Sequence, residues 1–224
     1  MSNELAYIED VPAETGSYTG PAPDPDLNKI SYNPVFPILT AKVKLNLPVA
    51  DMCTDIMRMA SKTKNYEGGF TTLINNVSID NVRGISDLKQ AIYGVTTSFG
   101  RELKYECDYD KCAIRVWATV MRRGGYDVTH SFSRSIFSGV FFAKAVEKSS
   151  PIVLSNPTTV YRSHEPPVRN EDKGPFTSEN LMLPPEENHM VIWPSWMNHF
   201  VPEMQDAGPR ITIGFTVDFL LPGA

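Results

Sequence analysis

Ten residues near the end of the chain constrain its fold more than any others. In Arg210-Ile211-Thr212-Ile213-Gly214-Phe215-Thr216-Val217-Asp218-Phe219 the side-chain character alternates with a period of two. A β-strand sorts such a pattern onto two faces, and a helix would scramble it. Strand-like runs precede it at Ala113 to Val120, Ser138 to Ala143, Pro151 to Ser155, Met190 to Trp193 and His199 to Val201. With 18 Pro and 14 Gly in 224 residues, turns are frequent and long helices are not favoured. Many short strands with Gly/Pro turns point to a sandwich or jelly roll. Apolar residues make up 42% of the chain, which excludes wholesale disorder. A chain of this length buries about 70–75% of its unfolded surface, so it needs no disulfide or metal staple.

The first half reads differently. Residues 1–32 are a Pro-rich extended arm, with Pro12, Pro21, Pro23 and Pro25 among small polar residues. The plain reading is a flexible or surface-wrapping tail; the sharper one is an arm that docks on a second subunit or assembly. Residues 33–224 read as a single domain, with a helical N-terminal part over 33–110 and a β core over 111–224. Pro34 to Thr40 and Ala41 to Leu45 are strand-like. Pro48 opens a helix, where its missing N–H costs nothing, and Val49, Cys53, Ile56, Met57 and Ala60 share one face. Glu67-Gly68-Gly69 breaks the chain. A second helix runs from Ser86, a good N-cap, to Leu103, with a stripe through Leu88, Ala91, Ile92, Val95 and Phe99. Both helices are expected to pack on one outer face of the β core. Residues 156–188 are Pro-rich and charged, a long insertion of the kind that forms lids and binding loops.

Charge narrows the partners. Twenty-one Lys and Arg against 26 Asp and Glu give a net charge of −5. Phosphate binding needs a basic surface, so a nucleic-acid partner is not expected. No apolar run approaches the ~20 residues of a membrane span. The N-terminus, Met1 to Pro12, carries no basic stretch followed by an apolar one, and the three cysteines form no C-x-x-C pair. Both features read as a reducing, cytoplasmic setting. Cys53 sits among core residues, and Cys107 and Cys112 flank a charged turn as buried free thiols.

The chain has only four histidines, His130, His164, His189 and His199. A non-haem Fe(II) centre uses two imidazoles and a carboxylate on one face, with open positions opposite. In a jelly roll, two ligands can come from one strand at i and i+2, and the second imidazole from a strand late in the chain. A basic residue on the last strand can then clamp the far carboxylate of a chelating 2-oxoacid. Arginine suits this because its fork is bidentate and always charged. His130, His199, Arg210 and Thr212 follow this order. Taken singly, His130 or His199 would be an ordinary hydrogen-bonded histidine; their joint register with Arg210 is what points to a site. His164 reads as solvated and His189 as a strand-edge residue. Trp117, Trp193 and Trp196 read as core, and Arg122, Arg123 and Arg134 as a basic cluster near the mouth.

The segment Trp117 to Phe142 resembles the 2-oxoglutarate/Fe(II)-dependent oxygenase family found in marine bacteria and in phages of cyanobacteria. That family carries a tryptophan strand, a Pro/Gly turn, a His-x-His or His-x-acid pair and a Ser-Gly-Val-Tyr-Tyr strand. Here these stand as Trp117, Gly124, His130 and Ser138-Gly139-Val140-Phe141-Phe142. A late block, Trp193 through Pro202, is similar, as is the ending with Arg210, Thr212, Phe215 and Thr216. The likeness runs from Pro34 to Phe219, more weakly over 34–110. It implies a double-stranded β-helix with helices packed outside. It implies Fe(II) held by His130 and His199, 2-oxoglutarate held by Arg210 with Thr212 and Thr119, and a hydroxylase-type oxidoreductase acting on a small molecule or a protein. A phage origin would place the protein in a virion or in the host cytoplasm.

Position 132 departs from the pattern. Two residues after His130 the family has a ligand, and this chain has Phe132, which cannot coordinate iron. Thr119 and Thr216 stand where the family has Asn, and Phe141-Phe142 replaces Tyr-Tyr, so the four changes are expected to cluster around one site. Iron could be held by the two histidines with water or chloride in the third place. A different carboxylate could serve, but Asp127 is three residues before His130, which on a regular strand is the opposite face. Alternatively the fold persists as a non-catalytic binding or phage-associated structural module.

Overall fold

The computed structural model describes residues 37–62, 68–74, 77–162, 165–174, 177–206 and 208–220. The chain divides into two units, residues 1–37 and 38–224. The expected arm and residues 34–36 of the expected Pro34 to Thr40 strand lie outside the described residues, and 37–40 are irregular, with the first strand starting at Ala41. The strands and helices among the described residues all belong to the second unit.

Among the described residues ten strands and two α-helices run in the order β1 (Ala41–Lys44), α1 (Val49–Ala60), β2 (Gly69–Thr71), α2 (Ile85–Glu102), β3 (Asp108–Met121), β4 (Asp127–His130), β5 (Phe137–Lys144), β6 (Ile152–Ser155), β7 (Asn180–Leu183), β8 (His189–Pro194), β9 (His199–Val201) and β10 (Arg210–Leu220), with two short 3-10 turns between β6 and β7. Two antiparallel sheets result. The larger has the order β1-β8-β5-β10-β3-β2 and the smaller β4-β9-β6-β7. No helix among the described residues is long and apolar enough to cross a membrane.

The alternation in β10 is used on both faces. Ile211, Ile213, Phe215 and Val217 join Phe137, Phe141, Met190 and Ile192 in a core under the two helices, which contribute Met52, Ile56, Leu88 and Ile92. Burying side chains of this size stabilises the fold by about 1.5–3 kcal/mol each. The opposite face of the same sheet points toward the smaller sheet. There Val140, Phe142, Val191 and Trp193 meet Ile152, Leu154 and Val201 in a second core. Arg210, Thr212 and Thr216 lie on that inner face of β10 and are all buried.

Several local expectations change. Helix α2 begins one residue early: Gly84, at φ +81°, is its N-cap, and Ser86 lies inside the first turn. Glycine takes that left-handed conformation without a Cβ clash. The charged Asp108–Asp110 segment is the start of β3 and not a turn. The 156–188 insertion contributes β7, which pairs with β6. Trp196 is 50% exposed and is not core. All three cysteines are free and half-buried.

Candidate functional site

A cavity of about 550 Å³ opens between the two sheets. Its walls include every residue singled out for chemistry from the sequence: His130, His199, Arg210, Thr212, Thr119 and Phe132. His164 lies outside the described residues. His189 begins β8 and is absent from the cavity wall.

The two imidazoles face each other because β4 pairs with β9 so that His130 stands directly opposite His199. Their ring centroids are 4.3 Å apart. Each ring is fixed in the same way. His130 Nδ1 lies 2.7 Å from the carbonyl of Val128, and His199 Nδ1 lies 3.0 Å from that of Met197. An Nδ1–H donated to a backbone carbonyl leaves the Nε2 lone pair for a metal, the tautomer that ligating histidines use. His199 is 5% exposed. Burial, aided by the neighbouring His130, lowers its pKa to about 4, so it is neutral at physiological pH.

The cationic end of the cavity is set by β10. Arg210 is 1% exposed, with its guanidinium carbon 5.4 Å from the centroid of the Phe142 ring. Thr212 is two residues on, on the same face, and pairs directly with Thr119 of β3. Thr119 Oγ1 reaches Thr71 Oγ1 at 3.2 Å. The sequence departures gather on the inner side of the sheet with one exception. Thr119 faces the cavity and Phe142 lies against Arg210, but Phe141 points into the helix-covered core.

Phe132 is held in place from several sides. Its N–H donates to the Ser195 carbonyl at 3.0 Å, and its carbonyl accepts from Ser135 N at 2.9 Å. Its ring lies 5.2 Å from Trp117, 5.2 Å from His130 and 5.7 Å from His199. Trp117 is itself laid across Gly214, its register partner, where any Cβ would run into the indole. The position after β4 that would carry an acid is therefore filled by an aromatic packed against both imidazoles.

Three wall features were not anticipated. Asp127 lies on the cavity, although regular alternation puts it on the opposite face from His130. Trp193 stands edge-on to His199 at 5.0 Å, and its indole N–H is buried without an acceptor among the described residues. Leu73 and Ile74, exposed at the rim, come from the segment after β2, a strand that starts at the Gly68-Gly69 break. Arg123 of the expected basic cluster does line the cavity.

The residues fit part of an iron and oxoacid site. Two imidazoles whose Nδ1 atoms are taken up by backbone carbonyls offer Nε2 to a divalent metal, and a buried arginine beside two threonines suits a carboxylate. Position 132 supplies no ligand. Among the described residues no three His, Cys, Asp or Glu side chains already converge on one point.

Residues 115–216 match the model of a family described as "Putative 2OG-Fe(II) oxygenase". A search of curated protein sequences found no match. Among solved structures, a prolyl-4-hydroxylase from Pseudomonas putida is similar over 82% of this chain and 93% of its own, at 10% identity and a TM-score of 0.53. HygX from Streptomyces hygroscopicus, with nickel and 2-oxoglutarate bound, is similar over 81% and 83%, at 4% identity and a TM-score of 0.51. An oxidoreductase of the 2OG-Fe(II) oxygenase family from Burkholderia pseudomallei is 13% identical over 54% of this chain, with a TM-score of 0.37. The chain spans 49% of that relative's length. The first two likenesses show the fold, a double-stranded β-helix with the helices outside.

Proposed function

We propose that this 2OG-Fe(II) oxygenase-like protein holds Fe(II) through Nε2 of His130 and His199 and 2-oxoglutarate through Arg210, as a hydroxylase-type enzyme with metal ligation weakened at position 132. The observation that carries the reading is the facing pair of imidazoles, each with Nδ1 committed to the carbonyl two residues before it.

Bound Fe(II) and 2-oxoglutarate would supply the activation of oxygen for hydroxylation of a C–H bond. The chain's own residues do the rest. Arg210 would hold the far carboxylate of the oxoacid, with the Thr212 and Thr119 hydroxyls on the same wall. Val140, Ile152, Trp193 and Val201 keep water from the inner wall. His199 stays unprotonated because it is buried. Leu73, Ile74, Tyr126 and Val128 give the mouth an exposed apolar rim. That rim and the net charge of −5 support a small-molecule or protein substrate over a nucleic acid. The three free thiols support a reducing cell interior, including a phage host's cytoplasm. Assembly through the arm over 1–32 is a further part of this reading.

Calorimetric titration of the full chain with Mn(II), then with 2-oxoglutarate, tests the proposal. Wild type should bind both, and His199→Ala should lose the metal. No heat from either ligand at millimolar concentration would sink the enzyme reading and leave a binding module on an oxygenase fold.

A further inference from the structure

The acid missing at position 132 has a counterpart on the other side of His130. In β4 and β9, Asp127 pairs with Val201 and His130 with His199. Two steps on β9 thus correspond to three on β4, so β4 carries a bulge between Asp127 and His130. His199 and Val201 are buried and share a face of β9. Their partners Asp127 and His130 must therefore share a face of β4, and both line the cavity. The bulge cancels the odd spacing. Asp127 stands two register steps before His130, the distance at which an i+2 acid would stand after it.

The surroundings of Asp127 are unusual for a structural carboxylate. It lies on the cavity wall within the electrostatic reach of both Arg210 and His130, and burial raises its pKa. Among the described residues its carboxylate makes no hydrogen bond and no salt bridge. Asp127 is only half-buried, so its carboxylate remains accessible from the cavity. β4 is the outer strand of its sheet, bonded only to β9. Among the described residues the three side chains do not yet converge, so the centre requires Asp127 to turn its side chain toward the two imidazoles from this bulged edge strand.

We propose that Asp127 is the carboxylate of the metal centre, serving from before His130 in place of an acid after it. The inference rests on the two-histidine site proposed above. It makes Phe132 a relocation of the ligand set instead of its loss, and it makes the weakening of ligation a matter of geometry.

Co(II) titration of the full chain, read by calorimetry and by the visible absorption of the bound ion, tests it without any turnover. Asp127→Asn, nearly isosteric, should weaken Co(II) binding by about 10-fold or more and change the spectrum; Asp127→Ser reads the same quantity if the Asn variant does not fold. Phe132→Asp in the Asp127→Asn background should restore affinity to near the wild-type value. Wild-type affinity in Asp127→Asn, with binding still lost in His199→Ala, would overturn this inference and leave the two-histidine site standing. A weakened Asp127→Asn that Phe132→Asp does not rescue would overturn it too. No Co(II) binding by wild type would remove both.

Discussion

Replacing Arg210 by Met is the sharpest probe of the cavity. Methionine keeps much of the length and apolar bulk of arginine and removes the charge. In the structure the guanidinium is 1% exposed and sits 5.4 Å from the Phe142 ring centroid, with Thr212 on the same face. A carboxylate received there makes two charge-assisted hydrogen bonds, each contributing about 1.5–3 kcal/mol. The lower figure for both gives about 3 kcal/mol, or roughly 150-fold in affinity. Stability should move less. Loss of the cation–π contact costs about 2 kcal/mol in a desolvated site. The assay is calorimetric titration of 2-oxoglutarate into Mn(II)-loaded full chain, with melting curves of the unloaded protein alongside. Arg210→Met should bind at least about 100-fold more weakly. Arg210→Lys should fall between, because an ammonium is a point charge and cannot offer a fork. Binding of 2-oxoglutarate by Arg210→Met within about threefold of wild type would refute the clamp.

Three further outcomes are expected of the same structure. Phe132→Asp should melt lower than wild type without metal, because it breaks ring contacts worth about 0.5–1.5 kcal/mol each. Mn(II) at a hundred times its Kd should then add about 2.7 kcal/mol, and equal metal-free melting of the two proteins would count against the packing role of Phe132. Gly214→Ala drives a Cβ into the Trp117 indole and should destabilise by about 1–3 kcal/mol, whereas Gly94→Ala, with open space inside α2, should stabilise by about 0.5–1 kcal/mol; chemical denaturation of the pair checks the opposite signs. Arg83 forks onto Asp55 at 2.8 and 3.0 Å and reaches Asp51 at 2.6 Å. The side-chain hydrogen bonds from Arg83 hold the Asp55 carboxyl at about 2, below its ordinary 3.8. A folded-state pKa lowered in this way contributes stability above about pH 4 that fades as pH falls toward 2. Acid titration of Arg83→Gln should lack that part of the slope.

How far the sequence could be read depends on what each element uses as its signal. β10, β5 and both helices were legible because apolar periodicity alone defines them, and the core they build is large. β2 and β7 were not, since β2 starts at the Gly68-Gly69 break and β7 lies inside the Pro-rich, charged 156–188 insertion, where neighbouring strands and not an apolar run define them. β4 is the instructive case. His130, His199 and Arg210 could be assigned to one site from their order along the chain and the family resemblance. Asp127 could not, because the bulge is a property of pairing with β9 and leaves no mark in β4 itself. Phe141 and Phe142 show the converse: adjacent in sequence, they serve separate cores, so changes that look clustered along the chain are divided by the sheet.

That division has a consequence for how this chain can change. The strand β10 presents Ile211, Ile213 and Phe215 to the helices and Arg210, Thr212 and Gly214 to the cavity. A slip of one residue against β3 or β5 would drive the guanidinium under the helices and leave isoleucines to line the cavity. The fold thus proofreads its own alignment: a misthreaded β10 forfeits the interior and the chemistry together. Insertions or deletions within this strand should be tolerated in twos and rejected singly. The inner face, by contrast, is free to exchange one polar group for another, and lineages can explore new ligand sets there without renegotiating the scaffold.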